Sequence, residues 1–263
     1  MKSLVQRRFG AAAADYATSA LHAKGLSLAR LIVLTRPEPS WRVLDVATGA
    51  GHTAFAFAPH IVQVTASDIT AEMLAEARKL AESKGLANVE VAPADADALP
   101  FPAANFDLVS CRLAAHHFDD VTAFAREAWR VLKPGGTLAL VDNIAPDAAI
   151  LPERSPGELL DCALAFNAFK KLSDPSHVRC LGLLEWDRLL SDVGFEIAHR
   201  EWMEKDVEFG PLIERMRCDE ATIARPRAML RDEPLHSFLR PRETDTGIVF
   251  TLQERIILAR KPR

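Results

Sequence analysis

The chain has 263 residues, with 32 Lys and Arg against 36 Asp and Glu and a formal net charge of -4. Basic residues are interspersed with acids, so no basic stripe offers itself to a phosphate backbone, and nucleic acid is disfavoured as a substrate. No apolar run approaches the roughly 20 residues that span a bilayer. The N-terminal stretch also lacks the charged start, apolar run and cleavage site of a signal peptide. The four cysteines, Cys111, Cys162, Cys180 and Cys218, are far apart and form no CxxC pair. Buried thiols in a reducing cytoplasm are therefore expected, with no metal site.

Residues 1–40 read as helical. Ala11 to Ala14 and Ser19 to Leu34 are rich in helix formers, and Arg36-Pro37-Glu38-Pro39 stops them. A β-type run, Trp41 to Ala47, then enters the turn Thr48-Gly49-Ala50-Gly51. Further strands are predicted at Val62 to Ser67, Val89 to Ala92, Phe106 to Cys111 and Thr137 to Val141. Between them Thr70 can cap a helix whose Met73, Leu74, Ala77, Leu80 and Ala81 share one face, ending near Gly85. Asp119 or Asp120 can cap another, with Val121, Phe124, Ala128 and Leu132 inward and Lys133-Pro134-Gly135-Gly136 as its stop. Strands alternating with helices through short connections imply right-handed βαβ units and a parallel sheet.

After Asp142 the rhythm changes. A proline-bearing stretch from Asn143 to Arg179 holds a helical piece around Leu159 to Leu172. Leu183, Trp186, Leu190 and Val193 mark a short amphipathic helix closed by Gly194. Phe195 to Trp202 and Gly247 to Ala259 read as late strands with an Arg-rich helical segment between them. The expected layout is a helical cap at 1–40, a core at 41–142, a cap insertion at 143–182 and completion of the core at 183–263. Trp129, Trp186 and Trp202 read as packing residues, and Lys133 as a solvated turn residue. The arginines between Arg215 and Arg242 are balanced by Glu214, Asp219, Glu220, Asp232 and Glu233, as on a solvated helical face.

In open parallel sheets ligands bind beyond the carboxyl ends of the strands. Strand one here runs from Asp45 into a glycine turn that lets backbone N–H groups approach a ligand. Strand two ends at Asp68, strand three is followed by Asp95, and strand four by Arg112 to Phe118 with the pair His116-His117. One acid after each of two neighbouring strands suits a ribose and an exocyclic amine. Gly49-Ala-Gly51-His-Thr-Ala54 also fits the dinucleotide pattern G-x-G-x-x-A, so an NAD(P)-dependent dehydrogenase is an alternative. Asp45 just before the turn, Asp95 without a dinucleotide role, and Tyr16 as the single tyrosine all oppose it.

These motifs resemble class I methyltransferases, in particular the group that includes the quinone-biosynthesis C-methyltransferases and many small-molecule relatives. The resemblance rests on Val43-Leu-Asp-Val-Ala-Thr-Gly-Ala-Gly51, Ser67-Asp-Ile-Thr-Ala-Glu-Met-Leu74, Asp95-Ala-Asp-Ala-Leu-Pro-Phe-Pro102, Phe106-Asp-Leu-Val109, Ala115-His-His-Phe118 and Arg130-Val-Leu-Lys-Pro-Gly-Gly136. A weaker likeness covers His22-Ala-Lys-Gly25 and Asp174-Pro-Ser-His-Val-Arg179. It implies an α/β, Rossmann-like, seven-stranded and mostly parallel sheet with helices on both faces. It also implies S-adenosyl-L-methionine as cofactor and S-adenosyl-L-homocysteine as product.

The implied roles follow position by position. Asp45, Ala47, Thr48, Gly49 and Gly51 line the methionine end, Asp68 holds the ribose diol, Ile69 packs on the adenine, and Asp95 with the Ala96 backbone meets the adenine amine. Arg112 joins the cofactor set. Ala47 stands where the family loop usually has its first glycine. Ala114-Ala-His-His replaces the Asn-Pro-Pro-Tyr motif of enzymes that methylate nucleic-acid base amines. His116 and His117 are the candidate catalytic residues, and His22, His177 and Arg179 the candidate substrate-binding ones. The expected reaction is methyl transfer to an oxygen, carbon or sulfur of a small metabolite, by a monomer or homodimer. A non-catalytic cofactor-binding protein or partner subunit is a second reading. An arsenic or metal thiol acceptor is a third, weakened by the scattered cysteines.

Overall fold

The computed structural model describes residues 2–18, 25–215, 220–245 and 247–263. The chain divides into two compact units, one of Met1–Asp142, Leu189–Glu201 and Ile256–Arg263, the other of Asn143–Arg188 and Trp202–Arg255. Expected segment 1–40 lies in the first and 143–182 in the second.

The first unit opens with helices α1 (Lys2–Ala11), α2 (Ala13–Thr18) and α3 (Leu26–Thr35). Leu28 and Leu31 of α3 are buried three residues apart, on one face. Arg36, in the left-handed region just before Pro37, ends the helix. Then come β1 (Arg42–Val46), α4 (His52–Phe57), β2 (Gln63–Asp68), α5 (Ala71–Ser83), β3 (Val89–Pro93), β4 (Phe106–Arg112), α6 (Val121–Val131) and β5 (Leu132–Asn143). Val43, Leu44, Val46, Val64, Ala66, Leu108 and Val109 are buried whichever way they point, as in a parallel sheet covered on both faces. Met73, Leu74, Ala77 and Ala81 of α5 turn inward as their spacing predicts. Asp120 caps α6 by accepting from Thr122 N and Ala123 N.

The remaining elements are α7 (Pro156–Ser173), α8 (Leu183–Val193), β6 (Glu196–Glu208), α9 (Phe209–Arg215), α10 (Glu220–Met229), α11 (Leu235–Leu239), β7 (Arg242–Thr244) and β8 (Gly247–Arg260). The eight-stranded sheet has the order β3-β2-β1-β4-β5-β8-β6, with β7 paired to β8. Strand β1 pairs in parallel with β2 on one side and β4 on the other. Chain order therefore reverses between β1 and β4, which opens a crevice at their carboxyl ends.

The second unit has its own core. Cys162, Phe166 and Phe169 form the buried stripe of α7 and meet Phe209, Leu230, Phe238 and Phe250. Edge-to-face ring pairs join Phe166 to Phe238 and Phe169 to Phe250. A capping box of Ser155 and Glu158 starts α7.

Four local expectations are corrected. Strand β5 begins at Leu132, because Lys133-Pro134-Gly135-Gly136 is absorbed as a register irregularity between the Phe106 and Leu108 pairings. Lys133 is not simply solvated but bridges to Asp107 at 2.8 Å. Thr70 occupies the α5 cap position without a side-chain cap bond, and its N–H is instead taken by Asp68. Trp202 is 51% exposed, because β6 is the last strand of the sheet and Trp202 falls on its exposed alternate face.

Candidate active site

Strand β1 delivers Asp45 into the crevice floor, 1% exposed. Its Oδ1 accepts from Ser110 Oγ at 2.6 Å and its Oδ2 from Thr48 Oγ1 at 2.5 Å. Burial pushes this carboxyl up to about 6, against the two hydroxyl bonds and the nearby charge of Arg112. The loop that follows alternates left-handed residues, Ala47 at φ 53°, Gly49 at 56° and Gly51 at 92°. Its N–H groups hold the turn itself, with Thr48 N on the Ser67 carbonyl at 2.9 Å and Gly51 N on the Thr48 carbonyl at 3.0 Å. Among the described residues a Cβ on Gly49 would meet only Met73 Sδ, at 4.0 Å. A Cβ on Gly51 would lie 2.3 Å from the Phe55 ring. Gly51→Ala is therefore expected to lower stability by about 2–3 kcal/mol through backbone strain plus overpacking. Gly49→Ala should cost about 1–2 kcal/mol, from strain alone. Paired denaturant curves check the ranking, which fails if the two variants are equally stable.

Asp68 closes β2. Its Oδ2 accepts from Gly49 N at 2.9 Å and its Oδ1 from Thr70 N at 2.8 Å, which ties the loop to the second strand. Burial raises this carboxyl, and the N–H bonds from Thr70 and Gly49 oppose that. Helix α1 reaches the same end of the sheet. Gln6 Nε2 donates to the Ile69 carbonyl at 3.0 Å, and Lys2 Nζ meets Asp95 at 2.5 Å and Asp97 at 2.9 Å. The Lys2 ammonium is correspondingly pushed up, chiefly by its bond to Asp95. Asp95 Oδ1 also accepts from Asp97 N across half-buried Ala96. In α4, His52 Nε2 donates to the Tyr16 carbonyl of α2 at 3.0 Å.

The exit of β4 is built on the end of β5. His116 is 7% exposed and Asp142 2%. The backbone N–H of His116 donates to Asp142 Oδ2 at 2.8 Å, while its Nδ1 lies 2.5 Å from Asp142 Oδ1. The His117 ring lies 4.2 Å from that of His116, Phe9 meets His117 edge-on at 5.0 Å, and Tyr16 meets Phe9 at 5.4 Å. Arg112, buried at the end of β4, points Nε at Ser27 Oγ of α3, 3.3 Å away.

The sequence-selected residues separate accordingly. Asp45, the 47–51 loop, Asp68, Ile69, Asp95, Ala96, Arg112 and the two histidines all belong to the first unit. His177 and Arg179 belong to the second. His177 is fully buried with Nε2 on Asn167 Oδ1 at 2.9 Å, an anchoring contact. Arg179 pairs with Glu185 and lines a cleft of about 360 Å³ with Asp147, Asn167 and Arg188. His22 and Cys218 lie outside the described residues. No group of His, Cys, Asp and Glu able to hold a metal occurs among the described residues, and no helix among them is long and apolar enough to cross a membrane.

Lys2, Ser110 and Asp142 were not selected from sequence. Asp142 had a signal, a lone acid following the apolar run Leu138-Ala-Leu-Val141 at a strand's carboxyl end. Lys2 had none, since its partner Asp95 is 93 residues away.

An open sheet reversing at β1 and β4, a glycine loop of left-handed residues at that point and an acid at the end of β2 define a nucleotide-binding α/β protein. Residues 44–140 match the methyltransferase-domain family. YcgJ of Bacillus subtilis, an uncharacterised methyltransferase, is 40% identical over 176 residues, 67% of this chain and 65% of YcgJ. The crystal structure of YcgJ covers 90% of this chain and 98% of its own, with a TM-score of 0.81 and 31% identity. A Bacillus halodurans C-125 structure reaches a TM-score of 0.82 at 33% identity, covering 91% of this chain and all of that one. Demethylmenaquinone methyltransferase of Deinococcus radiodurans is 41% identical over 112 residues, 41% of this chain and 46% of its own. The chain belongs to the S-adenosylmethionine-dependent methyltransferase family.

Proposed function

We propose that this chain transfers the methyl group of S-adenosylmethionine to an oxygen, carbon or sulfur of a small metabolite and releases S-adenosylhomocysteine. The observation that carries this reading is Asp68 gripping Gly49 N beneath a loop of left-handed residues at the sheet's reversal point. When bound, the cofactor supplies an electrophilic sulfonium methyl group for in-line displacement.

The residues fit that group. A carboxylate has about four lone-pair sites. Asp68 uses one on Gly49 and one on Thr70, and retains acceptor capacity for a ribose diol. The 47–51 loop, held in shape by bonds from Thr48 N to Ser67 O, Gly49 N to Asp68 and Gly51 N to Thr48 O, lies at the methionine end. Asp45, held behind that loop by Thr48 and Ser110, fixes its shape and places negative charge beneath it. Ile69 packs on the adenine, and Asp95 with the Ala96 backbone takes its amine. Arg112 steadies the floor beside Asp45. His116 and His117 serve the acceptor side.

Likeness to the demethylmenaquinone enzyme spans 41% of this chain, so it supports the cofactor half of the reading more than any particular acceptor. The test is calorimetric titration with S-adenosylmethionine and S-adenosylhomocysteine, with NAD and NADP beside them. Micromolar binding of the sulfur nucleotides alone supports the reading, and binding of NAD or NADP alone overturns it. Release of S-adenosylhomocysteine with a panel of acceptors then separates an enzyme from a cofactor-binding subunit.

Lys2 adds a consequence. Its ammonium now makes the bond to Asp95 that an adenine amine would make, so the two donors compete. Partly exposed ion pairs contribute up to about 1 kcal/mol. Lys2→Met is thus expected to tighten S-adenosylhomocysteine about 2–5-fold at low salt. The gain should shrink as salt screens the pair. Weaker binding by the variant would instead place Lys2 on the ligand's side.

A further inference from the structure

We infer that His116 and Asp142 form an imidazole–carboxylate pair in which His116 is the proton acceptor for the methyl-accepting group. The acceptor is then a protic nucleophile, an O–H or acidified C–H, and not a thioether or a tertiary amine. This rests on the methyltransferase reading and narrows its substrate class.

The geometry is specific. Strands β4 and β5 are neighbours, with Arg112 paired to Val141, so the residues that follow β4 meet the carboxyl end of β5 at the crevice. Asp142 spends one oxygen on the His116 backbone N–H and the other on Nδ1, which fixes both the chain and the ring. A carboxylate oxygen accepts, so Nδ1 carries the proton. In a neutral imidazole the other nitrogen is then the acceptor, here Nε2. The His117 ring at 4.2 Å, backed by Phe9, covers one side of His116. Little water reaches it, as its 7% exposure records.

The step balances without a further reagent. The acceptor's O–H or C–H proton goes to Nε2 of His116. The electron pair left behind forms the new bond to the methyl carbon, and the pair of the broken C–S bond returns to sulfur. Imidazolium results, held by the Asp142 carboxylate until the proton passes to water. A thioether or tertiary amine has no proton to give and would leave this pair idle.

Asp142→Asn separates positioning from mere support. The amide keeps one oxygen, which the backbone N–H of His116 takes. Its NH₂ then faces Nδ1 and forces the proton to Nε2. Nitrogen-15 NMR of labelled histidine, with His116→Gln to assign the signal, should show the Nδ1–H tautomer in the unaltered protein and Nε2–H in the variant. Turnover should fall about 10²–10⁴-fold, while S-adenosylhomocysteine affinity stays within about 2-fold. An Nε2–H tautomer in the unaltered protein overturns the proposal, and that measurement needs no folded Asp142 variant. Unchanged turnover in the variant, or methylation confined to thioethers and tertiary amines in a screen that also holds phenols, enols and hydroquinones, would overturn it too. Failure of the cofactor reading looks different, because the unaltered protein would then bind no S-adenosylhomocysteine.

Discussion

Asp68→Ala is expected to weaken S-adenosylhomocysteine binding by two orders of magnitude or more. A hydrogen bond to a charged group contributes about 1.5–3 kcal/mol, and the ribose diol would lose two of them. The carboxylate also accepts from Gly49 N and Thr70 N, so its removal loosens the loop that meets the methionine end. Each N–H left buried without an acceptor costs roughly 1–3 kcal/mol of stability. Calorimetry and urea unfolding on the same samples separate the two losses. Asp68→Asn keeps one acceptor oxygen and the side-chain volume, and should fall between Ala and the unaltered protein in both. A folded Asp68→Ala variant with undiminished affinity would remove the ribose assignment.

Most of what this prediction uses is readable from sequence because the signals are local. The strand β1 with its glycine turn, and the acid closing β2 with the helix stripe of Met73, Leu74, Ala77 and Ala81 that follows it, are each continuous patterns in the chain. Parallel strands declare themselves by apolar runs, and each ends where a ligand-facing residue must sit. Contacts that span the chain are silent in the same text. Nothing near Lys2 announces Asp95, and nothing near His116 announces Asp142, 26 residues away on another strand.

The errors have the same physical origin. Lys133-Pro134-Gly135-Gly136 carries strong turn chemistry, yet pairing with β4 draws it into β5 as an irregularity. Trp202 reads as a core residue by type, and its place on an edge strand leaves it exposed. Three-residue β7 is too short to show a period, and it exists through its pairing with β8.

Asp45→Asn is expected to change how stability depends on pH. Burial raises the Asp45 carboxyl from 3.8 to about 6, so between those values the folded protein holds a proton that the unfolded chain has released. Stability from this group is complete below the unfolded value, and each further pH unit removes about 1.4 kcal/mol until the folded value is passed. The loss totals roughly 3 kcal/mol by pH 7. Asparagine cannot ionise there, so the variant gains on the unaltered protein by roughly 2–2.5 kcal/mol between pH 4 and pH 7. Urea curves for both proteins at pH 4, 5.5 and 7 measure the difference directly, and a difference flat with pH would show that Asp45 does not titrate in this range. The same ionisation bears on function. Above about pH 6 the buried negative charge favours a cationic sulfonium over its neutral thioether product. The affinity ratio of S-adenosylmethionine to S-adenosylhomocysteine should therefore rise with pH through 6 in the unaltered protein and stay level in Asp45→Asn. A ratio that rises equally in both would assign the discrimination to another group.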